Sequence, residues 1–212
     1  MRTHLATAIA LGVALVCASC SVPHQIINRE DFLAEATRHY PGESRERVIK
    51  AAETVLRISD PKDWDFRYTL NGFVGLRRYF VYAVIASAQG QEKWEFLADE
   101  DAAQPNTIRA SVSISEAGVS TGGYTSTPYE GKMASIPLYR LFWDRVDYML
   151  RKRSDWVTCD QVFEELEKTR TTHDALAGLC GPTSEGRDAP APEPLPPLAV
   201  AAIPKPVKKK SK

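Results

Sequence analysis

From Trp64 onward the chain alternates between apolar and polar positions. Trp64, Phe66, Tyr68 and Leu70 share one parity, and Asp65, Arg67, Thr69 and Asn71 the other. Ile108, Ala110, Val112 and Ile114 alternate with Arg109, Ser111, Ser113 and Ser115 in the same way. Successive strand side chains point to opposite faces, so a two-residue period predicts a sheet with one face on a core and one toward water. Tyr79–Ala88 and Glu92–Asp99 lie between these segments and complete four strands. Asn71-Gly72 predicts a two-residue hairpin turn, with Gly75 suggesting a bulge or a longer connection, and Gln89-Gly90 predicts the next turn. Arg77-Arg78 reads as a charged strand end. Tyr79 to Ala86 is apolar on both parities, which predicts a central strand covered on both faces for part of its length. The acidic run Asp99-Glu100-Asp101 reads as a solvated loop without the ligand spacing of a calcium site.

Around this ribbon the period changes to that of a helix. Asn28 caps a predicted helix reaching to about His39, and Pro41-Gly42 breaks the chain. Ser44 caps a stronger one, in which Val48, Ala51, Ala52, Val55 and Leu56 form a stripe and Asp60-Pro61 forces the end. After the last strand, Ala117 to Lys132 is rich in Gly, Ser, Thr and Tyr and reads as a connecting loop, with Tyr124 and Tyr129 as candidate binding contacts. Ser135 and Pro137 open a helix with a broad apolar face (Leu138, Leu141, Phe142, Val146, Met149, Leu150), closed by Arg151-Lys152-Arg153. Thr158 and Gln161 form a capping box for the last helix. The expected fold class is therefore α+β: a four-stranded antiparallel meander packed in two layers against N- and C-terminal helices, in the order α-α-β-β-β-β-α-α.

Composition refines this picture at the ends. The 14 prolines concentrate beyond Pro182, where alanine and Lys208, Lys209, Lys210 and Lys212 complete a segment too poor in apolar bulk to fold alone. The expected organisation is a signal peptide over 1–19, a linker over 20–27, a single α+β domain over 28–182, and a disordered Pro/Ala/Lys-rich tail over 183–212. The formal net charge of +0 conceals a polarity. Residues 20–186 hold 20 Lys+Arg against 25 Asp+Glu, whereas residues 187–212 hold 6 against 2. An acidic body with a basic tail argues against nucleic acid as a partner.

Residues 8–16 form a short apolar run behind Arg2, too short to span a bilayer, and it ends in Cys17-Ala18-Ser19-Cys20. This end resembles bacterial lipoprotein signals, in which a small residue precedes the cysteine that is lipidated and becomes the mature N-terminus. The resemblance covers these twenty residues alone. It implies lipidation at Cys20 by chains such as palmitate. Ser21 at the following position implies sorting to the outer membrane of a Gram-negative cell, on its periplasmic face. In an exported domain Cys159 and Cys180 favour a disulfide over a metal site, although His173 lies between them. His24, His39 and His173 stand beside no recognisable nucleophile, and no zinc spacing occurs. No catalytic residue, metal or cofactor is therefore assigned. The leading expectation is a non-enzymatic binding or assembly module of the cell envelope, held to the membrane by its lipid. Its tail is a candidate contact for an envelope protein, peptidoglycan or lipopolysaccharide. The alternatives are a small-ligand or lipid carrier with an apolar cavity between sheet and helix, and an envelope hydrolase whose site has no local signature.

Overall fold

A computed structural model describes residues 28–83, 85–122, 124–169, 176–181 and 183–197. The chain falls into two units, residues 1–32 and 33–212. Helix α1 (Arg29–Glu35) crosses that boundary. At its start the Asn28 side chain accepts the Asp31 N–H at 2.8 Å, and Glu30 and Asp31 complement the dipole in the first turn.

The helix stops four residues short of the predicted His39. Thr37–Pro41 forms strand β1 instead, paired antiparallel with the start of strand β5 (Thr107–Gly122). Helix α2 (Arg45–Ser59) follows, and then strands β2 (Trp64–Thr69), β3 (Gly72–Ala83) and β4 (Ala86–Glu100) lead into β5. Strand β6 (Thr125–Lys132) pairs with the far half of β5 and occupies the segment expected to be a loop. The sheet is thus six-stranded, in the order β1-β5-β4-β3-β2 with β6 also on β5, rather than a four-stranded meander. Helices α3 (Ile136–Met149), α4 (Cys159–Thr169) and the short α5 (Ala177–Cys180) complete the order.

Three expectations about the ribbon are corrected. The β3–β4 ladder runs on to Ala83 opposite Ala86, and Gln89 and Gly90 sit inside β4, paired with Phe80 and Tyr79. Gly75 makes no bulge; it pairs regularly with Phe66, and the Trp64 and Phe66 rings lie over the space a side chain would need. The far half of β3 is not sandwiched: Phe80 is 62% and Tyr82 72% exposed.

The core forms where helices meet one face of the sheet. Trp94, Phe96, Ala98, Ala110, Val112 and Ile114 are buried on one parity, whereas Lys93, Glu95 and Arg109 on the other are exposed. Against them α3 sets Phe142 and Trp143, whose rings lie 5.3–6.1 Å from those of Trp94 and Phe96 in tilted and edge-on contacts. Helix α2 buries the predicted stripe, with Ser44 Oγ accepting the Arg47 N–H and Asp60 closing the far end. The Thr158–Gln161 capping box is present in both directions, at 2.9 and 3.3 Å. Residues 183–197 form turns up to Asp188 and irregular chain beyond it, and they lie along the body. Gly186 N–H reaches Ser59 O at 2.9 Å, Tyr148 Oη reaches Pro192 O at 2.9 Å and Leu195 N–H reaches Met149 O at 3.0 Å. Hydrogen bonds to the body are thus made by residues as far along as Leu195.

Candidate functional site

The helices cover only the near part of the long strands, and the far part carries the candidate site. Its base is a buried charge cluster. Arg77 opens no strand end: it lies in the middle of β3, with its side chain fully buried. Its Nε donates to Asp60 Oδ2 at 2.7 Å, Nη1 to Glu92 Oε1 at 2.9 Å, and Nη2 to both Thr183 O and Thr183 Oγ1 at 2.7 Å. Glu92 Oε2 accepts the Gly178 N–H at 3.1 Å and Trp94 Nε1–H at 3.4 Å. A guanidinium has donors for all these acceptors in one plane, which a lysine could not offer. Burial raises the Glu92 carboxyl above its ordinary range, and the adjacent Arg77 charge works against that rise. The cluster ties α2, β3, β4, α5 and the start of the 183–197 segment together where the core ends.

One step further out, Tyr79, Gly90, Gly118 and Tyr129 stand side by side across β3, β4, β5 and β6. The two tyrosines lean inward over the two glycines. Tyr79 Oη donates to Glu116, and the Tyr79 and Tyr129 hydroxyls are also bonded to each other. A Cβ at either glycine would collide with these hydroxyls, so both positions need a bare backbone. Burial, then the Glu116 and Tyr129 contacts, push the Tyr79 hydroxyl well above its ordinary pKa, so it stays a donor at any physiological pH. Beside this row lies an open concavity of about 800 Å³, lined by Asp63, Tyr79, Gly90, Gly118 and Thr183 among others.

Beyond the tyrosine row the surface turns apolar and uncharged. No Asp, Glu, Lys, Arg or His occurs from Tyr79 to Gln91 or from Ala117 to Tyr129. Phe80, Val81, Tyr82, Ile85 and Tyr124 are all exposed there, Ile85 at 84%. Large apolar groups gathered on a surface mark contact sites more often than scattered ones do.

The two tyrosines singled out from the sequence separate in the structure. Tyr124 stands exposed near the β5–β6 turn, whereas Tyr129 is engaged by Tyr79. Cys159 and Cys180 are joined in a disulfide. Arg145 lies against it, with Nη2 3.4 and 3.5 Å from the two sulfurs and its guanidinium over the Trp156 ring. Burial lowers Arg145 to about 10, which leaves it charged at neutral pH, with Val157 O and Leu179 O as acceptors. Of the basic run after α3, Arg151 bonds Leu195 O, Lys152 pairs with Glu43, and Arg153 pairs with Asp144 and Asp155. Cys20, His24, His173 and the lysines at 208, 209, 210 and 212 lie outside the described residues. His39 pairs with Asp101 at 2.7 Å on the surface.

Sequence reasoning missed Arg77, Glu92, Asp60 and Tyr79 as partners. The one available signal was a charged pair interrupting an otherwise apolar strand. Among the described residues no group of His, Cys, Asp and Glu is placed to hold a metal ion, and no helix is long and apolar enough to cross a membrane. No family model matches this chain, and no curated protein or solved structure matches it either.

Proposed function

We propose that the protein is a non-enzymatic binding or assembly module of a Gram-negative envelope. In this reading it is lipidated at Cys20, held at the periplasmic face of the outer membrane, and makes its contacts through the far end of the sheet. The observation that carries the proposal is that uncharged end. Two adjoining hairpins present Phe80, Tyr82, Ile85 and Tyr124 to solvent while the core behind them is filled by Trp94, Phe96, Phe142 and Trp143. Filled cores supply stability, and exposed aromatic residues supply contact energy at interfaces. The buried Arg77 cluster and the tyrosine row brace the hairpins, so the contact surface is presented rigidly.

The test is a photo-activatable residue placed at Tyr82 or at Tyr124 in the full chain in cells, with Leu70 as the control, since it is 90% exposed at the opposite end of the ribbon. The expected result is a discrete adduct to an envelope component, identified by mass, from the two distal positions. Equal adducts from Leu70, or none from Tyr82 and Tyr124, would refute the placement of the contact surface. Incorporation of a palmitate analogue that persists in Cys20→Ser would refute the anchor.

A further inference from the structure

The open edge of β3 has a geometry that fits one partner better than any other. Strand β2 covers only the first half of β3 and ends with Trp64 opposite Arg77. Beyond that point no described residue pairs with β3 on this side. The direction of its backbone groups follows from the ladder. Ala98 N–H donates to Asn71 O, so position 71 addresses β4, and with the unbroken register so does every odd position through residue 83. The even positions Arg78, Phe80 and Tyr82 therefore turn their N–H and C=O groups outward to the open edge.

Exposed apolar edges invite strand pairing, and proteins guard them with proline, charge or a covering element. The opposite edge of the distal ribbon, β6, carries Pro128, Glu130 and Lys132. The β3 edge from Tyr79 to Ala83 carries none of these. Phe80, Val81 and Tyr82 are strong strand formers, and they are 62%, 39% and 72% exposed.

Deepening the assembly reading, on which it rests, we infer that this edge pairs antiparallel with the same edge of a second copy about a two-fold axis at Val81. An axis normal to the sheet keeps the faces matched, so residues of like parity must oppose each other. Centring on Phe80 would place the partner's Ala83 opposite Arg77, where Trp64 already sits. Centring on Tyr82 leaves Phe80 opposite the partner's turn. Centring on Val81 sets Phe80 against the partner's Tyr82 and Tyr82 against the partner's Phe80, each pair exchanging two backbone hydrogen bonds. Val81 then faces the partner's Val81 as a non-hydrogen-bonded pair. This register also keeps Arg78 apart from the partner's Arg78, so no like charges meet at the seam.

The area suits a weak dimer. An aromatic side chain can bury about 150–250 Å². At their exposures Phe80 and Tyr82, with Val81, Ile85 and the strand backbone, offer on the order of 500 Å² per copy. The pair would bury about 1,000 Å², the lower bound for a specific interface. Tethering both copies to one membrane would raise their effective concentration and favour so small an interface.

The test uses the full chain. Opposed residues of a non-hydrogen-bonded pair have Cα atoms about 4.5 Å apart, within reach of a disulfide. Val81→Cys should therefore give an oxidant-dependent, reductant-reversible dimer that the unsubstituted chain does not form. Phe80→Cys, whose twin is offset by two residues, should give at least tenfold less. Tyr82→Pro removes an N–H that the monomer's own ladder does not use, so it should abolish the dimer in sedimentation at about 100 μM while leaving the circular dichroism and thermal midpoint of the monomer unchanged. A monomeric unsubstituted chain at that concentration would overturn the inference, as would equal cross-linking at positions 80 and 81. So would a monomer that floats with phosphatidylglycerol–phosphatidylethanolamine vesicles through Phe80 and Tyr82, since lipid would then be the occupant. If the dimer fails while Tyr82 or Tyr124 still cross-links to a different envelope component, the assembly reading survives without the second copy. Loss of both results ends both.

Discussion

Replacing Arg77 by methionine tests whether the buried charge cluster holds the distal ribbon to the core. The substitution keeps most of the side-chain volume and removes the cation. Asp60 and Glu92 would then be left buried, with 0% and 4% of their side chains exposed, and without their guanidinium partner. Removing one member of a buried ion pair costs about 3–5 kcal/mol, most of it the penalty of stranding the other charge. Against a total stability of about 5–15 kcal/mol this is a large fraction, equivalent to roughly 6–20 °C in thermal midpoint for a chain of this size. The measurement is urea unfolding of the oxidised protein, followed by tryptophan fluorescence; Trp94 reports directly, because its Nε1–H points at Glu92 Oε2 at 3.4 Å.

Two companion measurements separate charge from packing. The triple variant Arg77→Met, Asp60→Asn, Glu92→Gln strands no charge, and it should recover at least about 2 kcal/mol of the loss. The loss should also shrink in acid. Glu92 is raised by burial in the folded state, so the cost of its charged form is fully present above its folded pKa. That cost is relieved as pH falls through the folded pKa toward the unfolded value of 4.5, so the gap between Arg77→Met and the unsubstituted protein should narrow between neutral pH and about pH 4.5. A single-variant loss below about 1 kcal/mol, or a triple variant no better than the single, would refute the argument that unpaired charge is what the cluster prevents.

Further expectations concern other parts of the molecule. Replacing both Cys159 and Cys180 by alanine opens a cross-link between residues 21 apart in sequence and should cost roughly 3 kcal/mol in urea unfolding; an unchanged midpoint would show that the bridge constrains little. Gly118→Val drives a side chain into the Tyr129 ring and should destabilise by about 1–3 kcal/mol. Its effect on hydrogen exchange should be confined to the far halves of β3–β6, and uniform loss of protection in β1 and α2 would contradict the placement of the tyrosine row. Burial pushes the Glu53 carboxyl up, but hydrogen bonds from Arg57 and Tyr68 and the charge of Lys50 bring it below 4.5 overall. The resulting stability is present above pH 4.5 and lost as pH falls through the lower folded value, so Glu53→Gln should be less stable than the parent at pH 7 and converge with it as the carboxyl protonates. A difference that persists at pH 3 would assign the loss to packing instead.

The elements legible in the sequence are those whose signal is local. The Ser44 and Ser135 caps, the Thr158–Gln161 box and the buried stripe of α2 are each contained within one stretch of chain, and each is present, whereas the hairpin expected at Asn71-Gly72 turns one residue earlier, at Leu70-Asn71, with Thr69 opposite Gly72. Strands β1 and β6 are not local. Thr37–Pro41 is short and ends in proline, and Thr125–Lys132 has no apolar period, so nothing in either requires a strand. Both are created by β5, whose edge opposite β4 offers ladder positions at 107–111 and 115–122 to whatever chain lies alongside. The place of Arg77 is not legible for a related reason. A charge within an apolar strand reads as an end unless its partners are known, and those partners come from residues 60, 92 and 183.

The exposed distal end follows from the lengths that the structure gives these elements. Apolar residues on both parities ordinarily mean cover on both faces. Yet α2 has 15 residues and α3 has 14, about 22 Å each at 1.5 Å per residue, whereas β5 has 16, about 53 Å at 3.3 Å per residue. Helices of that length cannot roof such strands. Roughly half the ribbon must stand clear of them, and the half without charges is the half from Tyr79 to Ala86. Among the described residues no element covers Phe80, Val81 and Tyr82, and this uncovered apolar stretch is what the proposed second copy would cover.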